Sequence, residues 1–199
     1  KQRGIFYERA FLQKIQVQKE MNEILLIDDK KSGKFLRQKT VKFDFGKYSK
    51  KEIQALIKSM REIMKQANGV GLSANQIGFF FRMFVAQVPD QNGRPKFYAV
   101  FNPEIVKVSK EMEMLEEGCL SVPGLFGQVE RHYRLTLTGQ DSNGRKIKIK
   151  AWDLLARVFQ HETDHLDGKL FIDRTKNVQK SPSSERLVTR EEKIKREGK

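Results

Sequence analysis

The sequence predicts an α+β fold in which antiparallel sheets pack around a central helix carrying the motif His161-Glu162-Thr163-Asp164-His165. Three observations predict it. Apolar residues recur at helical spacing in two stretches, Ser49 to Ala67 and about Asp153 to Leu166. The chain between them alternates or runs apolar at strand length, punctuated by Asn-Gly turns. Its 199 residues, 38% apolar and 32% charged, suit one domain of ordinary size with short appendages.

Taken in order, residues 1–23 form a basic N-terminal extension in which Phe11, Leu12 and Ile15 could share one side of a helix. The main domain is placed at 24–173. Ser49 and Glu52 have the spacing of a capping box, Ile53, Leu56, Ile57, Met60, Ile63 and Met64 supply the apolar face, and Asn68-Gly69 supplies the stop. Phe80 to Val88 reads as a buried strand, and Asn92-Gly93 turns the chain into a second one, Phe97 to Val106. Leu135-Leu137 and Ile147-Ile149 alternate with polar residues on either side of Asn143-Gly144, a hairpin signal. The second helix stops at Asp167-Gly168, and residues 174–199 read as a basic, polar, peripheral tail.

Lys and Arg exceed Asp and Glu by 14, which favours contact with a polyanion without naming one. No apolar run approaches the ~18 residues of a membrane-spanning helix, so no membrane association is expected. The single cysteine, Cys119, excludes an intramolecular disulfide and points to a reducing compartment.

Residues four apart on a helix share a face, so the imidazoles of His161 and His165 can reach one metal ion. Glu162 then lies beside the open coordination position, where it can handle protons. Random placement of the chain's histidines and glutamates would produce this pattern about 0.004 times. Leu154, Val158, His161 and His165 follow one helical stripe, so both histidines continue the apolar face. The plain alternative is a pair of core histidines satisfied by their neighbours. A catalytic centre of zinc type uses three protein ligands, and no histidine follows His165. Upstream, Cys119 lies in Glu117-Gly118-Cys119-Leu120-Ser121-Val122-Pro123-Gly124. As a thiolate it would complete a Cys-His-His set; as a thiol it would be a small buried hydrophobe. His132, between Arg131 and Arg134 in an alternating stretch, reads as a rim residue rather than a ligand.

Gly69-Val70-Gly71-Leu72-Ser73-Ala74-Asn75-Gln76, Glu117-Gly118-Cys119-Leu120-Ser121 and Gln160-His161-Glu162-Thr163-Asp164-His165-Leu166-Asp167-Gly168 resemble, in order, the three signature motifs of the peptide deformylases. Arg131 is similar to an arginine that follows the second motif, and the resemblance covers roughly 24–173. One departure is Asn75, where the family usually has proline; it is expected to alter loop stiffness rather than chemistry.

The resemblance implies a hydrolase that removes the formyl group from the N-terminal formyl-methionine of newly synthesised polypeptides, releasing formate. It implies one divalent metal per chain on Cys119, His161 and His165: Fe²⁺ in the cell, with Zn²⁺, Ni²⁺ or Co²⁺ in purified protein. It implies that Glu162 transfers the proton, and that the Gln76 amide and the backbone N–H of Leu120 stabilise the oxyanion. Gly69 and Gly71 would let an extended peptide come close, although a Gly-x-Gly after a helix is also an ordinary turn. Gly118 joins them as a substrate-binding residue, and Val70 and Val158 would line an apolar pocket for the methionine side chain.

Two other readings compete. A zinc metalloprotease shares H-E-x-x-H but leaves Gln76 and Cys119 without roles. A basic RNA- or ribosome-binding protein with a structural metal would normally need four protein ligands, and this chain offers three. The expected location is the cytoplasm, or an organelle if the chain is eukaryotic. From Arg174 to Lys199 nine basic residues face four acidic ones, so the tail is either a solvated segment or a ribosome contact.

Overall fold

A computed structural model describes residues 10–16 and 24–180, and the architecture below is that of these residues. Eight strands follow in chain order: β1 (Gly71–Ser73), β2 (Met83–Pro89), β3 (Pro95–Val108), β4 (Met112–Cys119), β5 (Val122–His132), β6 (Arg134–Gln140), β7 (Lys146–Trp152) and β8 (Val178–Lys180). They form a five-stranded sheet, β1-β2-β3-β6-β7, and a three-stranded one, β4-β5-β8, with every pairing antiparallel. Three helices accompany them, α1 (Lys30–Leu36), α2 (Lys50–Gln66) and α3 (Asp153–Leu166), and residues 10–16 are also helical.

The start of α2 is the capping box its sequence announces. The Ser49 hydroxyl accepts from the Glu52 N–H, and the Glu52 carboxylate accepts from the Ser49 N–H at 2.7 Å. Ile53, Leu56, Met60, Ile63 and Met64 then bury one stripe against Leu72, Met83, Val85 and Phe101, and Ile15 enters the same core. On the opposite face of the sheet, Leu154, Val158, Phe159 and Leu166 of α3 meet Phe84, Ala86, Val88, Val100, Leu135 and Leu137. Odd and even residues of β2 thus enter different cores. That is why Met83 to Ala86 is apolar throughout instead of alternating.

The hairpin at Asn143-Gly144 joins β6 to β7. The Asp141 carboxylate accepts from the N–H groups of Asn143 and Arg145, and Gly144 has φ 77°. At the C-terminal end, the border expected at Asp173 precedes two further ties to the domain. β8 pairs with β5, and Arg174 bonds to Asp164 on α3. Residues 1–9, 17–23 and 181–199, which hold most of the two basic extensions, lie outside the described residues. Among those described, no helix is long and apolar enough to cross a membrane.

Candidate active site

α3 contacts strands of both sheets and carries His161 and His165 one turn apart on the same side. Their Nε2 atoms face each other at 3.3 Å. Cys119 ends β4, where the register with β5 slips, and its Sγ lies 3.2 Å from His165 Nε2. The three donor atoms fall within 4.8 Å of one another, all on buried residues. Two imidazole nitrogens and a sulfur that converge in this way put lone pairs against lone pairs, an arrangement stabilised by a cation among them. The donor set therefore fits a divalent metal of intermediate softness.

His161 is aimed from behind. Its Nδ1 meets Glu117 Oε2 at 3.0 Å, which leaves Nε2 for the converging side. Glu117 is fully buried and accepts from Arg131 Nε at 2.8 Å, Arg131 Nη2 at 2.9 Å and Arg157 Nη1 at 2.7 Å. Arg131 also reaches Asp164, which Arg174 grips from the other side. Burial would raise the Glu117 carboxyl, but Arg131 and His161 outweigh it and hold the group far below the usual carboxylate range. Asp164 is likewise lowered: burial opposes its charge, and the Arg174 and Arg131 bonds overcome it. At His161, burial disfavours the positive charge, yet its bonds to Cys119 and Glu117 carry its pKa up to about 10. His165 is pushed well below its ordinary value by burial and then by the charge on His161.

On the cleft side, the Ser73 hydroxyl donates to Glu162 Oε2 at 2.6 Å. Burial pushes the Glu162 carboxyl up to about 7, against the opposing pull of His161 and Ser73. Gln76 Oε1 accepts from the Ser73 N–H at 2.9 Å, which turns its amide nitrogen toward Ser121 Oγ at 3.1 Å and Cys119 Sγ at 3.8 Å. Space around the glycines is tight. A Cβ on Gly71 would stand 2.3 Å from Glu162 Oε1, and one on Gly69 would stand 2.8 Å from Leu120 Cδ1.

The family is decided by comparison with known proteins. A family model described as polypeptide deformylase matches residues 21–181. This chain belongs to the peptide deformylase family. The peptide deformylase of Desulforudis audaxviator is 42% identical over 129 residues, 65% of this chain and 81% of that protein. That of Thermomicrobium roseum is 40% identical over 143 residues, 70% of this chain and 79% of that protein. Among solved structures, the peptide deformylase of Thermotoga maritima matches with a TM-score of 0.68 at 36% identity, covering 78% of this chain and 97% of that one. A probable peptide deformylase from Synechococcus phage S-SSM7 matches at 0.68 and 37% identity, covering 76% and 98%. Peptide deformylases are metal-dependent hydrolases that remove the N-formyl group from newly synthesised polypeptides, and this chain is such an enzyme.

Most residues singled out in the sequence of this deformylase converge on one small cleft. Gly69, Val70, Gly71, Gln76, Gly118, Cys119, Leu120, His161 and Glu162 line it, with His165 buried behind them. Val158 does not line the cleft: it is fully buried beneath Gly71, where a Cβ would come within 3.0 Å of its Cγ1. His132 is away from the donors, with its Nδ1 on the Ser109 carbonyl. Asn75, expected to affect only loop stiffness, donates from Nδ2 to the His165 carbonyl at 2.7 Å and so touches the site helix. Sequence reasoning gave no role to Glu117, Asp164, Arg157, Ser73 or Ser121. Glu117, Asp164, Ser73 and Ser121 lie inside the motifs it quoted, so their place beside the expected ligands was the available signal.

Proposed function

We propose that this deformylase holds one divalent cation on Cys119, His161 and His165, ferrous iron in the cell, and that Glu162 moves the proton. What supports the reading is a single observation: the donors of Cys119, His161 and His165 converge, and the first two line the same cleft as the Glu162 carboxylate and the Gln76 amide. A divalent cation bound there supplies Lewis acidity and makes hydroxide available at neutral pH. Glu162, with a pKa of about 7, takes a proton from the attacking water and returns it to the departing amine. Gln76, its amide oriented by Ser73, and the Leu120 backbone N–H donate to the formyl oxygen as charge develops on it. The peptide lies extended along Gly69 to Gly71, whose strand β1 is the free edge of the larger sheet, and against Gly118. Its methionine side chain packs by Val70, and Val158 supports that wall from beneath.

Iron rests on the family resemblance, since one thiolate and two imidazoles also suit Zn²⁺, Ni²⁺ and Co²⁺, the ions expected in purified protein. The catalytic domain, 24–173, is completed by Arg174 and β8. The enzyme works in the cytoplasm, or in an organelle, where its substrates are made and its one thiol stays reduced. The basic stretch 174–199 contacts the ribosome by salt-sensitive charge attraction.

Metal analysis of anaerobically purified protein, paired with formate release from a formyl-Met peptide, tests the core of this. One metal per chain is expected, lost in Cys119→Ala; full occupancy in that variant overturns the ligand set. Glu162→Gln should keep fold and metal while lowering turnover by about 10²-fold or more. Near-normal turnover in a metal-replete sample removes Glu162 from the mechanism.

A further inference from the structure

The larger sheet is covered unequally. α3 covers one face across its width, whereas α2 covers the other face only over β1, β2 and the start of β3. Over β6, β7 and the end of β3, neither α1 nor α2 packs on that second face to a comparable extent, and Phe45 reaches it only at the Gly144 turn. Because the pleat alternates, Leu135, Leu137, Ile147 and Ile149 turn toward α3, and the residues between them turn outward. The outward row along β7 is Lys146, Lys148, Lys150 and Trp152. Beside it stand Thr136 and Thr138 of β6, then Lys107 and Glu104 of β3. The four lysines form no ion pair with a described residue, whereas Arg134, at the end of the β6 row, is engaged by Glu111.

We infer that this face binds single-stranded RNA, with phosphates along the β7 lysines and a base stacked on Trp152. Alternate residues of a strand stand about 6.8 Å apart, so the lysines form a straight, regular row of charge that a nucleic-acid backbone can follow. Short threonines beside the row keep the surface flat; the Thr138 hydroxyl donates to the Glu104 carbonyl, and that of Thr136 can donate to phosphate or ribose. At the end of the row Trp152 is 46% exposed, an indole whose flat face suits a nucleobase. A lysine on an edge strand also discourages sheet-to-sheet association, but one suffices for that, and an exposed tryptophan works against it. An acidic peptide would answer the lysines and leave the indole unused. The position permits simultaneous catalysis: β7 is the edge opposite β1, so RNA here leaves the cleft open. The net charge of +14 and the origin of the substrate, newly synthesised polypeptide, place the enzyme where RNA is abundant.

Trp152 is the only tryptophan of the chain, so its fluorescence reports the site directly. Titrating the full chain with a short oligouridylate should quench that fluorescence, with binding that weakens as salt rises. The combined Lys146→Glu, Lys148→Glu and Lys150→Glu variant should bind at least tenfold more weakly and flatten the log–log salt slope by about 2. Trp152→Ala should lose about tenfold or more in affinity for the RNA but not for inorganic polyphosphate, and Trp152→Phe should recover much of it. Formate release from short formyl peptides, unchanged in the lysine variant, shows that its fold is intact. Oligouridylate binding by the lysine variant equal to wild type would overturn the proposal, as would binding without any response of Trp152 or preferential uptake by anionic lipid vesicles.

Discussion

Beneath α2 the buried side chains are mostly rings and methyls; where α3 meets the smaller sheet they are charges. In the first region Phe43 touches Phe81 and Phe101 with centroids 4.9 and 4.7 Å apart, and Phe79 adds a further ring 5.5 Å from Phe81. Such contacts depend on area and volume more than on direction, so the region tolerates change that keeps its volume. In the second, Glu117, Arg131, Arg157 and Asp164 are bound in fixed directions, and Glu117 passes that order to His161. The apolar core supplies stability without precision. The charged seam costs desolvation and fixes the orientation of His161.

Breaking the seam should have the largest effect. Glu117→Ala leaves Arg131 and Arg157 buried beside each other without their shared counter-charge, for a loss of about 3–5 kcal/mol. The freed His161 should lower metal affinity about 10–100-fold. Denaturant unfolding of the metal-free protein and competition with a chelator measure the two separately, and a stable variant with weakened metal binding would reduce the seam to an orienting device. Trimming the apolar core should cost less and leave the chemistry alone. Ile63→Val should lose about 0.5–1.5 kcal/mol, with formate release per folded molecule unchanged; reduced turnover would show the core to be coupled to the cleft after all.

The smallest effect concerns Tyr48, stacked on Phe43 at the border of the aromatic region. Burial, and after it the charges of Glu52 and Asp44, raise its phenol above the ordinary value of 10.0. As pH rises the unfolded chain therefore ionises first. The contribution of Tyr48 to stability is complete below about pH 10 and is lost as pH climbs through the raised value. Unfolding at about pH 9 and pH 11 should show an alkaline loss that Tyr48→Phe reduces, and an identical loss in both proteins would exclude this group.

The same contrast explains what the sequence made legible. Helix α2, the β6–β7 hairpin and the limits of α3 follow from periodicity, caps and turns, which are local. The two histidines were legible because i, i+4 spacing on a helix is local too, and Cys119 because it is the only cysteine. The seam was not. Arg131 and Asp164 are 33 positions apart and Glu117 and Arg157 are 40, and no period links them. Tertiary charge pairing leaves no local trace, and Arg174, read as the start of a basic, polar tail, is caught by Asp164 through contact alone. Val158 was misplaced for a related reason: helical phase gives the face a residue occupies, but not whether a glycine backbone lies over it.

The grip of Arg174 on Asp164 has a consequence for the order in which the enzyme becomes competent during its own synthesis. The chain is made from its N-terminus, so α2 and the strands that enclose the aromatic rings can begin to pack first. Glu117 and Cys119 follow, then Arg131, the partner of Glu117, all before there is an imidazole to aim. The histidines arrive within α3, and the carboxylate one position before His165 gains its second arginine only when Arg174 and then β8 have been added. The donor set is thus closed by some of the last residues of the domain, so a partly made copy carries the scaffold without the finished cleft.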